Sequence, residues 1–364
     1  MANRKIFIFL GTRAQLIKMA PVMVELQKRN VPYQFLFTGQ HQETIDDILR
    51  NFGIKMPDKR IGGSEEIVGI FQMFRWMKTL YKNTIREKES IFGDISKNDI
   101  LIVHGDTLST LLGARIGKKV GLQVAHVESG LRSFRLFHPF PEEILRLLTF
   151  HSSDIFFCPG TWAVHNVEKY PGIRQNIEHN TLLDAIRLVK PPQNIQEIIP
   201  NKKFILFSIH RFENIFYKRR FQKIIDSAVL LSKSFPLFFV LHPATKHQLQ
   251  KQPHLLNILE QEENIFLHPR YDFFTFITLL KQCEFLVSDG GSNQEECFYL
   301  GKPCLLLRKK TERLEGLSEN TMLSEYNVEK IQYFLKNYSS FTRPPLSKNI
   351  SPSAEIVDFI SEKR

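Results

Sequence analysis

Short apolar segments alternate along the chain with segments of helical periodicity. The apolar segments of the first half are Lys5–Leu10, Pro32–Thr38, Ile100–Val103, Leu122–Val127 and Ile155–Cys158. Their length and β-branched content predict buried strands, and the stretches between them space apolar residues as amphipathic helices do. Strands that alternate with helices indicate a parallel sheet covered on both faces.

A second series of strands follows residue 200, again separated by helical patterns. Its members are Phe204–Ser208, Leu237–Leu241, Ile265–Leu267, Phe285–Val287 and Leu305–Leu307. A chain of 364 residues is long for a single core, so two domains are expected. We therefore predict an α/β fold of two Rossmann-like doubly wound domains with a ligand cleft between them.

The boundary between the domains is predicted near Tyr170-Pro171-Gly172, where proline and glycine interrupt the periodic segments. The N-terminal domain then covers residues 1–170 and the C-terminal domain residues 171–349. The last residues, 350–364, include an apolar helical pattern, and we expect this helix to return to the N-terminal domain.

The composition is that of a soluble globular protein, with 43% hydrophobic and 24% charged residues. No apolar run approaches the ~20 residues of a membrane span, and no signal segment precedes the first strand. The four cysteines lack metal spacing and lie in or beside apolar runs, which predicts buried reduced thiols and a cytoplasmic location. The net charge of +11 comes from scattered Lys and Arg residues, which favours a solvated surface over a nucleic-acid interface.

Three acidic residues are predicted to lie at the carboxyl edge of the first sheet. Asp106 follows one strand, Glu128 follows the next, and Glu142 opens a helix after Pro141. Ligands of open α/β sheets bind beyond the carboxyl ends of the strands, so these carboxylates are expected to face one space. Each acid taken singly is also typical of a helix cap or of a dipole partner, but three together perturb one another unless they have a chemical role.

The first strand runs into a turn that is compatible with an anion. Gly11 permits a close backbone approach, and the helix N-terminus together with Arg13 favours negative charge. This turn is a candidate phosphate site, although any strand-to-helix turn favours glycine.

The second half carries two marked segments. His210 and Arg211 follow a strand, where a histidine is able to exchange protons near neutral pH or to act as a structural residue. The segment from Asp289 to Glu296 places two glycines and a serine between a strand and a helix. Its backbone N–H groups suit a diphosphate and its carboxylate suits ribose hydroxyls, whereas a plain tight turn is the alternative.

The marked motifs occur in a fixed order along nearly the whole chain. They are Gly11-Thr12-Arg13, Lys18-Met19-Ala20-Pro21, Thr38-Gly39-Gln40-His41, His104-Gly105-Asp106-Thr107, His126-Val127-Glu128, Gly130-Leu131-Arg132, Pro141-Glu142-Glu143, Asn180-Thr181, His210-Arg211 with Glu213, Gln294-Glu295-Glu296, Gly301-Lys302-Pro303 and Thr311-Glu312-Arg313. In this order and spacing the chain resembles the non-hydrolysing UDP-N-acetylglucosamine 2-epimerase family, which has the glycosyltransferase-B architecture.

The resemblance implies an isomerase that inverts C2 of a UDP-2-acetamido-sugar by eliminating and re-adding UDP, for cell-surface polysaccharide precursors. It implies the catalytic residues Asp106, Glu128, Glu142 and His210. It implies a UDP-sugar site formed by Arg13, Lys18, Arg132, Arg211, Gly290, Gly291, Ser292, Glu296 and Arg313, with Glu296 on the ribose. A second UDP-sugar site would use Gln40, His41 and His242. We expect neither a cofactor nor a metal. We expect the protein to form a homodimer.

The chain departs from the family pattern at several positions. The usual Pro-Glu after the first motif is Ala14-Gln15, the usual Asp-Ser-Gly-Gly turn is Asp289-Gly290-Gly291-Ser292, and the segment His242-Pro243-Ala244-Thr245 replaces His-Leu-Asn-Pro. These changes make it uncertain whether the chain binds the phosphates in the family's geometry. They also make it uncertain whether a second UDP-sugar activates it. A glycosyltransferase of the same architecture and a catalytically silent nucleotide-sugar sensor are the alternative functions.

Overall fold

The computed structural model describes residues 4–39, 45–62, 70–135, 141–311 and 313–362. The chain divides into two compact units, one of Met1–Leu188 with Ser351–Arg364 and one of Val189–Ile350. The boundary predicted at residue 170 therefore lies 18 residues before the observed one, at residue 188. The reason is that the strand and helix after residue 170 pair and pack with the first unit.

Within the described part of the first unit, seven strands form one parallel sheet. They are β1 (Ile6–Leu10), β2 (Gln34–Phe37), β3 (Lys59–Arg60), β4 (Ile100–His104), β5 (Gln123–Val127), β6 (Ile155–Cys158) and β7 (Ile173–Asn176). Their spatial order is β3-β2-β1-β4-β5-β6-β7. This is the doubly wound order, and its direction reverses between β1 and β4.

Helices connect these strands and cover the sheet. They are α1 (Arg13–Lys28), α2 (Asp46–Phe52), α3 (Ile70–Arg86), α4 (Lys88–Phe92), α5 (Leu108–Val120), α6 (Glu142–His151), α7 (Thr161–Asn166) and α8 (Leu182–Leu188). Thr12 and Thr107 cap α1 and α5, because each side-chain oxygen accepts a hydrogen bond from the first helical turn.

Six described strands form the parallel sheet of the second unit. They are β8 (Ile205–Ser208), β9 (Leu237–Leu241), β10 (Ile265–Pro269), β11 (Leu286–Ser288), β12 (Cys304–Leu306) and β13 (Thr321–Leu323). The spatial order is β10-β9-β8-β11-β12-β13, with the reversal between β8 and β11. Two parallel α/β sheets of this topology confirm the predicted fold class.

The helices of the second unit alternate with these strands. They are α9 (Ile195–Ile198), α10 (Phe212–Ile215), α11 (Lys218–Ser232), α12 (Pro243–Gln250), α13 (Pro253–Glu260), α14 (Phe273–Gln282), α15 (Gly291–Leu300) and α16 (Val328–Asn337), followed by a 3₁₀ turn at Tyr338–Phe341. The last helix, α17 (Pro352–Ser361), packs on α1 and α8 of the first unit, as the sequence predicts.

Phenylalanine dominates the core of each unit. The largest fully buried side chains among the described residues are all phenylalanines, among them Phe7 and Phe9 of β1 and Phe207 of β8. All four cysteines are buried free thiols, which confirms that prediction. None of the helices in the described ranges has the length and apolar character needed to cross a membrane.

Candidate active site

Gln15 ties together the two turns at the reversal point of the first sheet. Its Oε1 accepts from the backbone N–H groups of Gly11 at 2.9 Å and Thr12 at 3.1 Å. Its Nε2 donates to the His104 carbonyl at 2.7 Å and to Thr110 Oγ1 at 2.8 Å. Because Gln15 is only 2% exposed, these bonds join the start of α1 to the turn that carries Asp106.

At the β1–α1 turn, the candidate phosphate site, two backbone donors and Arg13 have partners within the chain. The N–H groups of Gly11 and Thr12 at this turn already donate to Gln15. Arg13 forms an ion pair with Asp47, with Nη1 at 2.8 Å from Oδ1. The turn is closed by side chains of the chain itself, so a nucleotide role for Arg13 stays a prediction that requires exchange of this ion pair.

Glu128 follows β5 and is held in a buried polar cluster. Its Oε1 lies 2.6 Å from Lys18 Nζ and 2.5 Å from Asn180 Nδ2, and its Oε2 lies 3.5 Å from His104 Nε2. Burial lowers the pKa of His104 to about 3, more than the Glu128 charge raises it, so this histidine is neutral. Lys18 is therefore the cationic partner of Glu128, whereas the sequence assigned it to the substrate.

The backbone of Glu128 lies in the left-handed region, with φ at 61°. A non-glycine residue in this region costs on the order of 1–3 kcal/mol and is held there by its surroundings. Strain of this kind concentrates at functional sites, which agrees with the predicted role of the Glu128 carboxylate.

The buried imidazole of His126 lies near both Asp106 and Glu128. Its Nε2 lies 2.7 Å from the Gly105 carbonyl, and burial lowers its pKa to about 4. The charges of Asp106 and Glu128 both act in the opposite direction on this one ring. Both carboxylates are therefore within electrostatic reach of a single buried imidazole.

Asp106 is paired with Arg146, a residue of α6. Arg146 Nε lies 2.9 Å and Nη2 lies 2.6 Å from Asp106 Oδ2. Arg146 Nη1 also donates to Glu143 at 3.2 Å. The ion pair therefore joins the end of β4 to the first turns of α6, where Glu142 lies.

Glu143 is fully buried and organises the cations of this region. It accepts from Arg132 Nε at 2.5 Å and from the Ser133 amide at 2.9 Å, in addition to Arg146. Burial pushes the pKa of Glu143 upward, but these donors outweigh it and leave the pKa lowered. Arg132 was expected to bind the substrate, and in the structure its Nε is bonded to Glu143.

Glu142 differs from the other two predicted acids. It is the first residue of α6, and its Oε2 is buried without a hydrogen-bond partner within the described ranges. An unsatisfied buried acceptor costs about 1–3 kcal/mol of folding free energy. Such a group is retained where it has a function. Asp106 and Glu128 have cationic partners, whereas this oxygen of Glu142 has no hydrogen-bond partner among the described residues.

The reversal point of the second sheet carries His210 and Arg211 after β8 and Asp289 after β11. Asp289 accepts from the backbone N–H groups of His210 and Arg211, each at 3.0 Å, and from Asn214 Nδ2 at 2.8 Å. Its Oδ1 lies 3.4 Å from Nδ1 of the His210 ring. The ring of His242 lies beside that of His210, with centroids 5.3 Å apart.

The start of α15 carries the groups that the sequence assigned to a diphosphate site. Gly290 caps the helix, and the N–H groups of Gly291 and Ser292 lie in the first turn, where no intrahelical acceptor exists. Glu296 is 6% exposed and accepts from Asn293 Nδ2 at 2.9 Å. A carboxylate thus lies about one turn beyond these N–H groups, and the ribose contact of Glu296 stays a prediction.

Two further predicted cations are paired inside the second unit. Arg211 Nε lies 2.6 Å from Glu213 Oε1, and Arg313 Nη1 lies 2.9 Å from the fully buried Glu295. Gln40 and His41, two of the three residues assigned to a second UDP-sugar site, lie outside the described residues. In the part of the chain that the structure describes, no cluster of His, Cys, Asp or Glu side chains is arranged to hold a metal ion.

Comparison with known proteins decides the family. A family model described as UDP-N-acetylglucosamine 2-epimerase matches residues 24–349. The chain belongs to this family. A UDP-N-acetylglucosamine 2-epimerase of Methanococcus maripaludis is 33% identical over 332 residues, which are 87% of this chain and 86% of that protein. The corresponding protein of Neisseria meningitidis serogroup A is 30% identical, with the same coverage.

Solved structures of UDP-N-acetylglucosamine 2-epimerases match the same fold. The Methanocaldococcus jannaschii protein superposes with a TM-score of 0.80 at 27% identity, covering 98% of this chain and 99% of that one. The Neisseria meningitidis protein bound to UDP-GlcNAc has a TM-score of 0.78 at 27% identity, covering 98% of both chains. A UDP-glucosyltransferase of Polygonum tinctorium, with a TM-score of 0.60 at 12% identity and coverage of 100% and 99%, shares the fold alone.

For this UDP-N-acetylglucosamine 2-epimerase family member, the sequence did not identify the residues that hold the predicted catalytic side chains. Arg146, Asn180 and Asp289 were given no such role. Arg146 lies three residues after Glu143, a spacing that places two side chains on one helix face and predicts their ion pair. The other two bonds join distant segments, and no local signal in the sequence predicts them.

Proposed function

We propose that the chain is a UDP-N-acetylglucosamine 2-epimerase of the non-hydrolysing type, acting on UDP-GlcNAc or a closely related UDP-2-acetamido-sugar. Family membership supports the isomerase reaction. The observation that carries the assignment is the acid set of the first unit. Asp106 and Glu128 are held by buried cations, while Glu142 keeps a buried carboxylate oxygen without a partner among the described residues.

The chemistry requires such a set because C2 of the sugar bears an unactivated proton. In the proposed elimination a carboxylate takes the C2 proton while the bond from C1 to the diphosphate oxygen breaks, giving a 2-acetamidoglucal and UDP. Re-addition forms the C1–O bond again and places a proton on the opposite face of C2. The two faces need different proton carriers, which Asp106, Glu128 and Glu142 supply between them.

The second unit has the groups suited to the departing UDP. The N–H groups of Gly291 and Ser292 and the positive end of α15 would stabilise the charge that develops on the diphosphate. His210 would exchange a proton there, and Glu296 would bind the ribose. Lys18 and Arg132 are proposed to hold carboxylates rather than the substrate, because each lies on a buried acid.

Incubation with UDP-GlcNAc in deuterated water tests the proposal. We expect deuterium at C2 and formation of UDP-ManNAc, both abolished in Asp106→Asn and Glu142→Gln while UDP affinity stays within about threefold. Tight UDP-GlcNAc binding without exchange in the wild type would instead identify a silent sensor. Sugar transfer to an added acceptor without exchange would identify a glycosyltransferase.

The biological setting is also a proposal. A UDP-2-acetamido-sugar inverted at C2 suits the synthesis of cell-surface polysaccharide precursors in the cytoplasm, and a homodimer remains the predicted assembly. His242 lies beside His210, so the second UDP-sugar site predicted at His242 would adjoin the proposed catalytic histidine.

A further inference from the structure

We propose that Asp289 is the positioning residue of His210. It fixes the backbone turn from which the histidine projects and faces Nδ1 of the ring, so that Nε2 is the nitrogen left to exchange a proton with the substrate. The inference rests on the proposed function, because His210 has this role only if a UDP-sugar reacts beside it.

The first support is the set of bonds to the Asp289 carboxylate. This carboxylate is fully buried, and a buried charge is tolerated only where donors surround it. The donors are the main-chain N–H groups of His210 and Arg211, each at 3.0 Å, and Asn214 Nδ2 at 2.8 Å. Two consecutive amides held by one carboxylate determine where the His210 backbone lies.

The second support is the orientation of the imidazole. Nδ1 lies 3.4 Å from Asp289 Oδ1, and a Cβ atom added to Gly290 would approach Cε1 to 2.8 Å. The edge of the ring formed by Nδ1 and Cε1 therefore packs against the β11–α15 turn. The His210 side chain is 37% exposed, so the part of the ring that does not pack against this turn is accessible. A carboxylate facing Nδ1 favours the proton on that nitrogen, which leaves Nε2 as an acceptor.

The third support is the set of hydrogen bonds made by Asn214, which contacts the Asp289 carboxylate. Asn214 is fully buried and bonds to Asp289 Oδ2, while its Oδ1 accepts from Tyr326 at 2.6 Å and its Nδ2 also reaches the Leu307 carbonyl at 3.1 Å. Asn214 thus adds a side-chain donor to the oxygen of Asp289 that also accepts from the Arg211 amide. Because Asn214 contacts the oxygen that does not face Nδ1, its replacement weakens the support of Asp289 but leaves the carboxylate opposite the ring.

The test compares Asp289→Asn with Asn214→Ser in the full-length protein. The first variant keeps the shape of the side chain but puts an amide donor among N–H donors. We expect kcat to fall by about 100-fold or more, the scale of lost proton transfer, while the Kd for UDP stays within about threefold. Asn214→Ser removes one donor to Asp289 and leaves the two main-chain N–H groups in place, so we expect it to lower the melting temperature and to reduce kcat much less than Asp289→Asn does.

A structural readout separates positioning from general damage. Long-range ¹H–¹⁵N spectra of histidine-labelled protein at pH 8.5, with the His210 signals assigned through His210→Gln, report which ring nitrogen carries the proton. We expect the Nδ1–H tautomer in the wild type and in Asn214→Ser, and a shift to Nε2–H in Asp289→Asn.

The Nε2–H tautomer in the wild type would overturn the inference, even if no Asp289 variant folds. The inference would also be overturned if kcat fell in both variants by an amount that simply followed the fall in melting temperature. The role of Asp289 would then be structural. The spectra need no turnover. A protein without epimerase activity but with the Nδ1–H tautomer would therefore refute the proposed function and leave the Asp289–His210 pairing standing.

Discussion

Replacing Lys18 by methionine tests how the first unit holds its acids. The methionine keeps most of the length and apolar contact of the lysine stem but removes the ammonium group 2.6 Å from Glu128 Oε1. The two side chains are 13% and 6% exposed, so water cannot replace the lost partner. His104 cannot replace it either, because burial lowers the pKa of this histidine to about 3.

The size of the effect follows from this burial. Removing one partner of a buried ion pair typically costs about 3–5 kcal/mol, because the other charge stays buried and uncompensated. Asn180 still donates one hydrogen bond to Glu128, so we expect the lower end, about 3 kcal/mol. For a unit of this size that corresponds to a fall in melting temperature of about 6–12 °C.

Calorimetry of Lys18→Met, Glu128→Gln and the double variant measures this effect. The double variant removes both charges, so it should recover much of the loss and give a coupling free energy of about 2 kcal/mol or more. Strict additivity would refute the buried pair. If Lys18→Met instead weakens UDP binding tenfold at an unchanged melting temperature, Lys18 binds the nucleotide, as the sequence predicts.

Three further predictions follow from the described contacts. Gln15→Glu removes the amide donor that faces the His104 carbonyl, so it should destabilise the first unit by about 1–3 kcal/mol. Thermal unfolding measures this loss, with Gln15→Met as the comparison variant. An unchanged melting temperature would contradict the prediction. Glu296→Ala should raise the Kd for UDP in calorimetric titration while Asp106→Asn leaves it unchanged, and equal Kd values would remove Glu296 from the ribose site. Burial raises the pKa of Cys158 and of Cys283 to about 12, so both stay protonated at pH 8 and should resist iodoacetamide until the protein is unfolded, as peptide mass spectrometry would show; labelling of either cysteine in the folded protein would contradict this.

Several features of the fold were predictable from local pattern. The strand predicted at Ile100–Val103 is β4, one residue longer, and the predicted Phe204–Ser208 strand is β8, one residue shorter. Strands of four or five buried apolar residues leave a clear signal. The edge strands β3, β7 and β13 do not, because each is very short or only partly buried. Failure to recognise β7 placed the domain boundary 18 residues too early, at 170 instead of 188.

The pairing of the site residues was not predictable in the same way. Glu128 and Asn180 are 52 positions apart, and the residues of the His210–Asp289 pair are 79 apart. Arg13 carries an anion-binding group in the sequence, yet a carboxylate 34 positions away, that of Asp47, takes it. A cationic side chain such as Arg13 indicates that an anionic group binds it. The sequence does not reveal whether that group belongs to a ligand or to another residue of the chain.

The sequence by itself determined which chemical groups stand at the ends of the strands, because parallel strands of alternating α/β segments bring their carboxyl ends to one edge. Only the tertiary structure decided which of these groups are paired and which are available. That choice depends on side chains from distant segments that meet in a buried environment, where an uncompensated charge costs several kcal/mol and each partner therefore determines the state of the other.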